Sequence, residues 1–339
     1  MKRTVFNYAI MLFAFTISLT FLFSGPTFAY SEKDPLILKA SSGTPPMTIN
    51  SKILTRFCKL IEERTKGRVK FKMFYSGSLV KHPKFFDGVA KGISHISTGP
   101  VSFITNKIPA LSMFEIYGSY DLGKHLETVN ATETILNQIL AKEGAYNVFH
   151  DYAGPAIFGH RTKLLKSPAD WKGQKMRVAG RWGAGLAKTW GASPVFLGPG
   201  DMYLALQRGV TDGYMLIWSF LYVMKLHEVA PFMVDTGFTS NYTILPMNLK
   251  MWNTLTEADK DIFKQVGKEM NIYSNKVIRA ENERVRGDIL SKGGKIYDLT
   301  PRERSIFIKD CYALWPEVRK MSGPLGNKLA DILEDFRAR

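Results

Sequence analysis

Hydrophobic positions along this chain switch repeatedly between an alternating period and a helical one. Residues 36–41 form an apolar run that ends in the small polar turn 41–46. From Asn50, a candidate N-cap, to about Thr65, the side chains of Ile53, Leu54, Phe57, Leu60 and Ile61 share one helical face. Residues 69–75 alternate as a second strand, a short helix runs from His82-Pro83 to Val89, and 93–98 read as a third strand. The same β-α-β-α-β rhythm returns in 172–213. There the strand 174–179 is followed by a helix to Trp190, a strand at 193–197, the helix 202–208 with Asp201 placed to cap it, and a strand at 210–213. Between the two units lie an amphipathic helix (126–142) and two strands (147–152 and 156–160) that carry the chain across. Beyond them, 222–229 is helical and 234–238 and 243–249 are extended. Thr256 then caps a helix to about Ser291, with Gly267 marking a kink. A strand at 295–297 and helices at 301–311 and 324–336 complete the pattern. Alternation of this kind builds open α/β sheets, with ligands at the carboxyl ends of the strands.

The first 29 residues break from this pattern. Lys2 and Arg3 precede an uncharged apolar run (8–23), Gly25-Pro26 interrupts it, and Thr27-Phe28-Ala29 supplies small residues where a signal peptidase cuts. A cleaved secretory signal ending near Ala29 is expected in preference to a transmembrane anchor, and no later segment is long and apolar enough to span a bilayer. The net charge of +16 falls by two once Lys2 and Arg3 are removed. The basic residues are scattered, with no aromatic-basic module, so attraction of small anions is expected before nucleic-acid binding. The two cysteines, Cys58 and Cys311, leave a disulfide open but make no framework.

Most chemical motifs fail on spacing. Gly183-Ala184-Gly185 with Lys188-Thr189 lacks the glycine before lysine that a phosphate loop needs, and Lys188 also breaks the dinucleotide pattern. The six histidines show no metal spacing, and no nucleophile elbow appears. Arginines in strands remain. Arg161 follows the strand 156–160, and Arg177 lies inside the next, flanked by Met176 and Val178. A buried guanidinium needs either an acidic partner within the fold or an anionic ligand, whose carboxylate its planar fork matches. Trp182, Trp218 and Phe238 follow strand ends, where they serve either as core or as pocket wall.

Three segments together carry a resemblance: residues 171–178 (WKGQKMRV), 191–195 (GASPV) and 202–213 (MYLALQRGVTDG), supported by 63–69 (ERTKGRV) and Ser76-Gly77-Ser78-Leu79 in the N-terminal half. The chain resembles the DctP-type solute-binding proteins of TRAP (tripartite ATP-independent periplasmic) transporters over essentially its whole length after the leader. The resemblance implies a two-lobed α/β periplasmic binding protein of the type II-like, Venus-flytrap class, with strand crossovers and a long bracing helix. Its lobes are expected at 30–158 plus 243–281 and at 159–242 plus 282–339. It further implies a periplasmic monomer without cofactor or catalytic activity, delivering an organic acid to a small and a large integral membrane subunit driven by a sodium gradient. An ABC-type receptor and a secreted enzyme acting on a carboxylate are the alternatives.

In that family the arginine matching Arg177 clamps the ligand carboxylate, and one matching Arg161 is a second contact in some members. This chain departs from the common pattern. Tyr214-Met215-Leu216 stand where many relatives have Gln-Glu-Asn, Pro199-Gly200 where some have Phe, and Gly237-Phe238 where Asn-His is frequent. Ser41 replaces an Asn, and Gly99-Pro100 a polar contact. The expected ligand contacts are Arg177 and Arg161, with Ser41, His82, Gly99 and Phe103 from the first lobe and Trp182, Leu216, Trp218 and Phe238 from the second. So apolar a pocket favours a monocarboxylate with an apolar or aromatic body over a C4-dicarboxylate or a sugar acid.

Overall fold

The computed structural model describes residues 30–337 apart from 153, 240 and 241; the expected signal peptide over 1–29 lies outside the described residues. The chain starts one sheet with β1 (Leu36–Ser41), β2 (Val69–Phe74), β3 (Ile96–Ser97), β4 (Gly99–Pro100) and β5 (Ala145–Asp151). It then crosses to a second sheet for β6 (Pro155–His160), β7 (Lys175–Val178), β8 (Ser193–Phe196), β9 (Gly213–Leu216) and β10 (Phe232–Thr239). It returns to the first for β11 (Thr243–Asn248) and ends the second with β12 (Lys295–Asp298). The first sheet is ordered β2-β1-β3-β11-β4, with β5 paired to β11; the second is β12-β10-β6-β9-β7-β8. Each sheet anchors one lobe. The two crossings run side by side, since Thr243 faces Asp151 in one ladder and Thr239 faces Pro155 in the other.

Strand direction decides what each sheet presents. In the second sheet β7, β8 and β9 are parallel, while β6 runs antiparallel to β9, with Ile157 opposite Leu216 and His160 opposite Gly213. The carboxyl ends of β7 and β9 therefore point at the first lobe, and the carboxyl end of β6 points away from it. The third strand of the 172–213 unit starts at Gly213, later than the expected 210–213, because pairing with β6 is what sets it.

Local signals placed most helices within a few residues. Thr48, not Asn50, caps the helix Ile49–Arg64 through its side chain, and the Asn50 amide donates instead to Asp151 Oδ2 at 2.6 Å. Asp201 makes no capping bond, since the turn Pro199–Asp201 already leads into the helix Met202–Gln207. The helix Glu257–Ser291 is continuous, with Thr256 accepting from Asp259 N–H. Gly267 marks no kink; a Cβ there would overlap the carbonyl oxygen of Val148, so the glycine lets the helix lie directly on β5. Further along, Val285 and Ile289 of the same helix enter the core of the second lobe with Met202, Trp218 and Met233. This one helix braces both lobes. The final helix Trp315–Asp335 begins earlier than expected and breaks at Gly323, where φ is 64°. It packs on the turn Pro109–Glu115 and the helix His125–Lys142, elements of the first lobe.

Cys58 and Cys311 are both buried and free, in different cores. No helix among the described residues is long and apolar enough to cross a membrane.

Candidate functional site

Between the sheets lies a cavity of about 100 Å³, walled by both lobes. From the first come Ser42, Thr98, Gly99 and Pro100 at strand ends, together with Asn50, His82 and Phe103. From the second come Arg177 and Ala179 at the end of β7, Met215 and Leu216 at the end of β9, and Ile217 and Phe220 just beyond. The carboxyl ends of parallel strands thus converge on the cavity, as expected for open α/β sheets.

Arg177 is 5% exposed, and among the described residues it forms no ion pair. Its Nε and Nη1 reach only two backbone carbonyls, Leu197 O at 3.4 Å and Met215 O at 3.5 Å, both long for hydrogen bonds. Burial lowers its pKa, and the neighbouring Tyr117 opposes this only in part. The internal Arg–acid pair left open by the sequence is therefore not made among the described residues. Among the described residues, three of the guanidinium's five N–H groups have no protein acceptor, an expensive arrangement unless an anion arrives.

Of the other expected contacts, His82, Gly99, Phe103 and Leu216 line the cavity. His82 packs edge-on against Phe103, with ring centroids 5.3 Å apart, and stacks near Phe220 of the opposite lobe at 6.2 Å. Burial pushes its pKa down to about 4, so the imidazole is neutral at pH 7.

Five residues lie elsewhere. Arg161 follows β6 and so sits at the end of the sheet remote from the cavity, beside Gly209. Ser41 is one residue short: its hydroxyl hydrogen-bonds those of Ser94 and Ser97 inside the first sheet, and Ser42 faces the cavity instead. Trp182 is core. Its backbone N–H donates to the buried Glu115 carboxylate, which caps the helix Arg181–Thr189 in place of the side chain that Gly180 lacks. A Cβ at Gly180 would overlap that carboxylate, and burial raises the Glu115 pKa to about 7. Trp218 donates its indole N–H to Asp235 Oδ2 at 2.9 Å within a structural ion network. Phe238 is fully buried behind Tyr117, with ring centroids 6.3 Å apart.

Several wall residues carried no readable signal. Tyr117 comes from the non-periodic segment between β4 and the helix His125–Lys142, and Asn50 reads in sequence as a helix cap. Phe220 follows the end of β9, a position that the strand-end rule could have flagged. Among the described residues no group of three or more His, Cys, Asp or Glu could hold a metal ion.

Strand ends from two lobes converge on one cation that is open to the cleft between them. Residues 40–321 match the family described as bacterial extracellular solute-binding protein, family 7, and the chain belongs to that family. It is 26% identical over 275 residues to a solute-binding protein of Albidiferax ferrireducens, covering 78% of this chain and 80% of the relative. It is 27% identical over 247 residues to a monocarboxylate 2-oxoacid-binding periplasmic protein of Nostoc, covering 70% and 67%. Among solved structures, a TRAP periplasmic solute binding protein from Roseobacter denitrificans with bound β-D-glucuronate superposes with a TM-score of 0.81 at 19% identity, covering 89% of this chain and all of that one. The fold is the two-lobed periplasmic binding architecture.

Proposed function

We propose that this protein is the periplasmic receptor of a TRAP transporter and that it captures an organic monocarboxylate. The carboxylate pairs with Arg177, and the lobes close over it before delivery to the integral membrane subunits. The observation that carries this reading is the buried guanidinium with no acidic partner in an otherwise neutral cavity. An incoming carboxylate supplies the missing acceptors bidentately and removes the cost of an uncompensated buried charge. The Nostoc relative, named for 2-oxoacid monocarboxylates, and the Roseobacter structure, which holds β-D-glucuronate, support a ligand with one carboxylate.

The two walls divide the recognition. The second-lobe wall combines the cation with Met202, Met215, Leu216 and Ile217, which suit an apolar body. The first-lobe wall carries Ser42, Thr44, Thr98 and Thr243, which suit an oxygen substituent near the carboxylate. A C4-dicarboxylate would need a second cation, and Arg161, the residue expected to supply it, lies at the wrong end of its strand.

Thermal-shift and calorimetric titration with short 2-oxo and 2-hydroxy monocarboxylates tests the assignment. Arg177→Ala should weaken binding at least a hundredfold, the several kcal/mol lost when a buried charge pair loses one member. Retention of wild-type affinity by that variant would end the clamp assignment.

A further inference from the structure

The cavity around Arg177 does not stop at His82 and Phe220. A second chamber of about 240 Å³ adjoins it, and the two share Thr44, Asn50, His82, Phe220 and Met224 as common walls. The outer chamber is again built from both lobes, with Met47 and Ile49 on one side and Val223 on the other. Met47 is 68% exposed and Val223 56%, so each lobe leaves a large apolar side chain open at this chamber. Among the described residues, the outer chamber has no cation in its walls. Its single charged residue, Glu281, is held in a two-pronged ion pair by Arg284, at 2.7 and 2.8 Å.

The partition between the chambers is itself a built feature. His82 can seat there only because residue 43 is glycine; a Cβ on Gly43 would overlap the Cα, Cβ and Cγ atoms of His82. Neutral at pH 7, the imidazole neither pairs with an anion nor repels an apolar chain. Its partner across the partition, Phe220, belongs to the other lobe, so opening the cleft widens the passage and closing it narrows the passage.

Resting on the carboxylate reading above, we infer that the cleft is a two-chamber site for an elongated monocarboxylate. The carboxylate sits at Arg177, and an apolar tail passes between His82 and Phe220 into the outer chamber, where it covers Met47 and Val223. Each methylene placed there leaves water for an apolar wall. The binding constant should therefore rise about threefold to fourfold per added carbon until the chamber is full. A second carboxylate at the far end would meet no cation and should reverse the gain.

The test is a calorimetric series of straight-chain monocarboxylates from propionate to decanoate, with the α,ω-dicarboxylates of equal length alongside. The expected result is affinity that climbs with length beyond about four carbons, with each dicarboxylate weaker than its monocarboxylate. Val223→Asp, a substitution at an exposed position, should cost the long acids tenfold or more and leave propionate unchanged. Binding of short acids with no gain on lengthening, or equal losses for short and long acids in Val223→Asp, overturns the two-chamber inference and leaves the carboxylate reading standing. Failure of every acid to bind overturns both.

Discussion

Arg286 and Arg177 are both arginines set into the second lobe, and their surroundings could hardly differ more. Arg286, on the long helix, reaches Asp235 at 3.0 Å and Asp298 at 2.8 Å and lies over the ring of Trp218. Burial works against its charge, but the bond to Asp298 and the two negative charges outweigh that and raise its pKa. Arg177 is the more deeply buried, meets no carboxylate among the described residues, and has its pKa lowered. One guanidinium completes the fold. The other is left incomplete by it, and stability is given up where a ligand is to be held.

The largest effect expected from this contrast is on folding. Arg286→Ala strands the Asp235 carboxylate and should cost about 3 kcal/mol in urea denaturation, while the affinity of whatever still folds stays near wild type. Equal stability of the two proteins would show that Arg286 is not the structural member of the pair. Next is Asp151, the buried carboxyl that accepts from Asn50 and whose pKa burial raises to about 7. Between the ordinary carboxylate range and that value the folded state keeps a proton that the unfolded chain has released. Wild-type stability therefore falls as pH rises through this window. Asp151→Asn removes the ionisation and should be more stable than wild type at pH 8, with the gain vanishing near pH 4. A pH-independent difference would refute the proton linkage. A smaller gain, about 1 kcal/mol without ligand, is expected for Arg177→Met, which swaps an unpaired buried charge for an apolar side chain. A clear loss of stability in that variant would mean that Arg177 is structural after all. The smallest effect belongs to Arg161→Ala, which should change ligand affinity by less than about twofold, since a side chain that touches no ligand adds nothing to binding. A large loss would return Arg161 to the cleft.

The contrast also explains what the sequence could disclose. The alternation of 36–98 and 172–213 marks two βαβ units because apolar periodicity follows from local burial, and the strands and helices fell close to where it put them. Arg177 stood out because a cation inside a strand is conspicuous in one dimension. Arg161 was equally conspicuous, but whether a strand end faces a cleft depends on strand direction, and the antiparallel turn of β6 is a tertiary fact. Trp218 and Phe238 were recognisable as large aromatics near strand ends, yet Asp235 and Tyr117, which hold them in the core, come from distant segments. The short 3₁₀ turns between β4 and the helix His125–Lys142 have no period to read, and they include the segment that leads to Tyr117.

Gly267 has a mechanical consequence. The close seat it permits on β5 is extended by Asn271, which accepts from His150 N–H at 2.8 Å, and by Ser274, which accepts from Tyr152 N–H at 3.4 Å. Through these three positions the long helix is clamped to one lobe. From Ser274 to Ser291 it projects as an arm of about 25 Å, whose far half is embedded in the other lobe. A rotation of about 10° at the clamp would carry the tip about 4 Å. The absence of one methyl group thus lets a single rigid helix be seated on one lobe and rooted in the other.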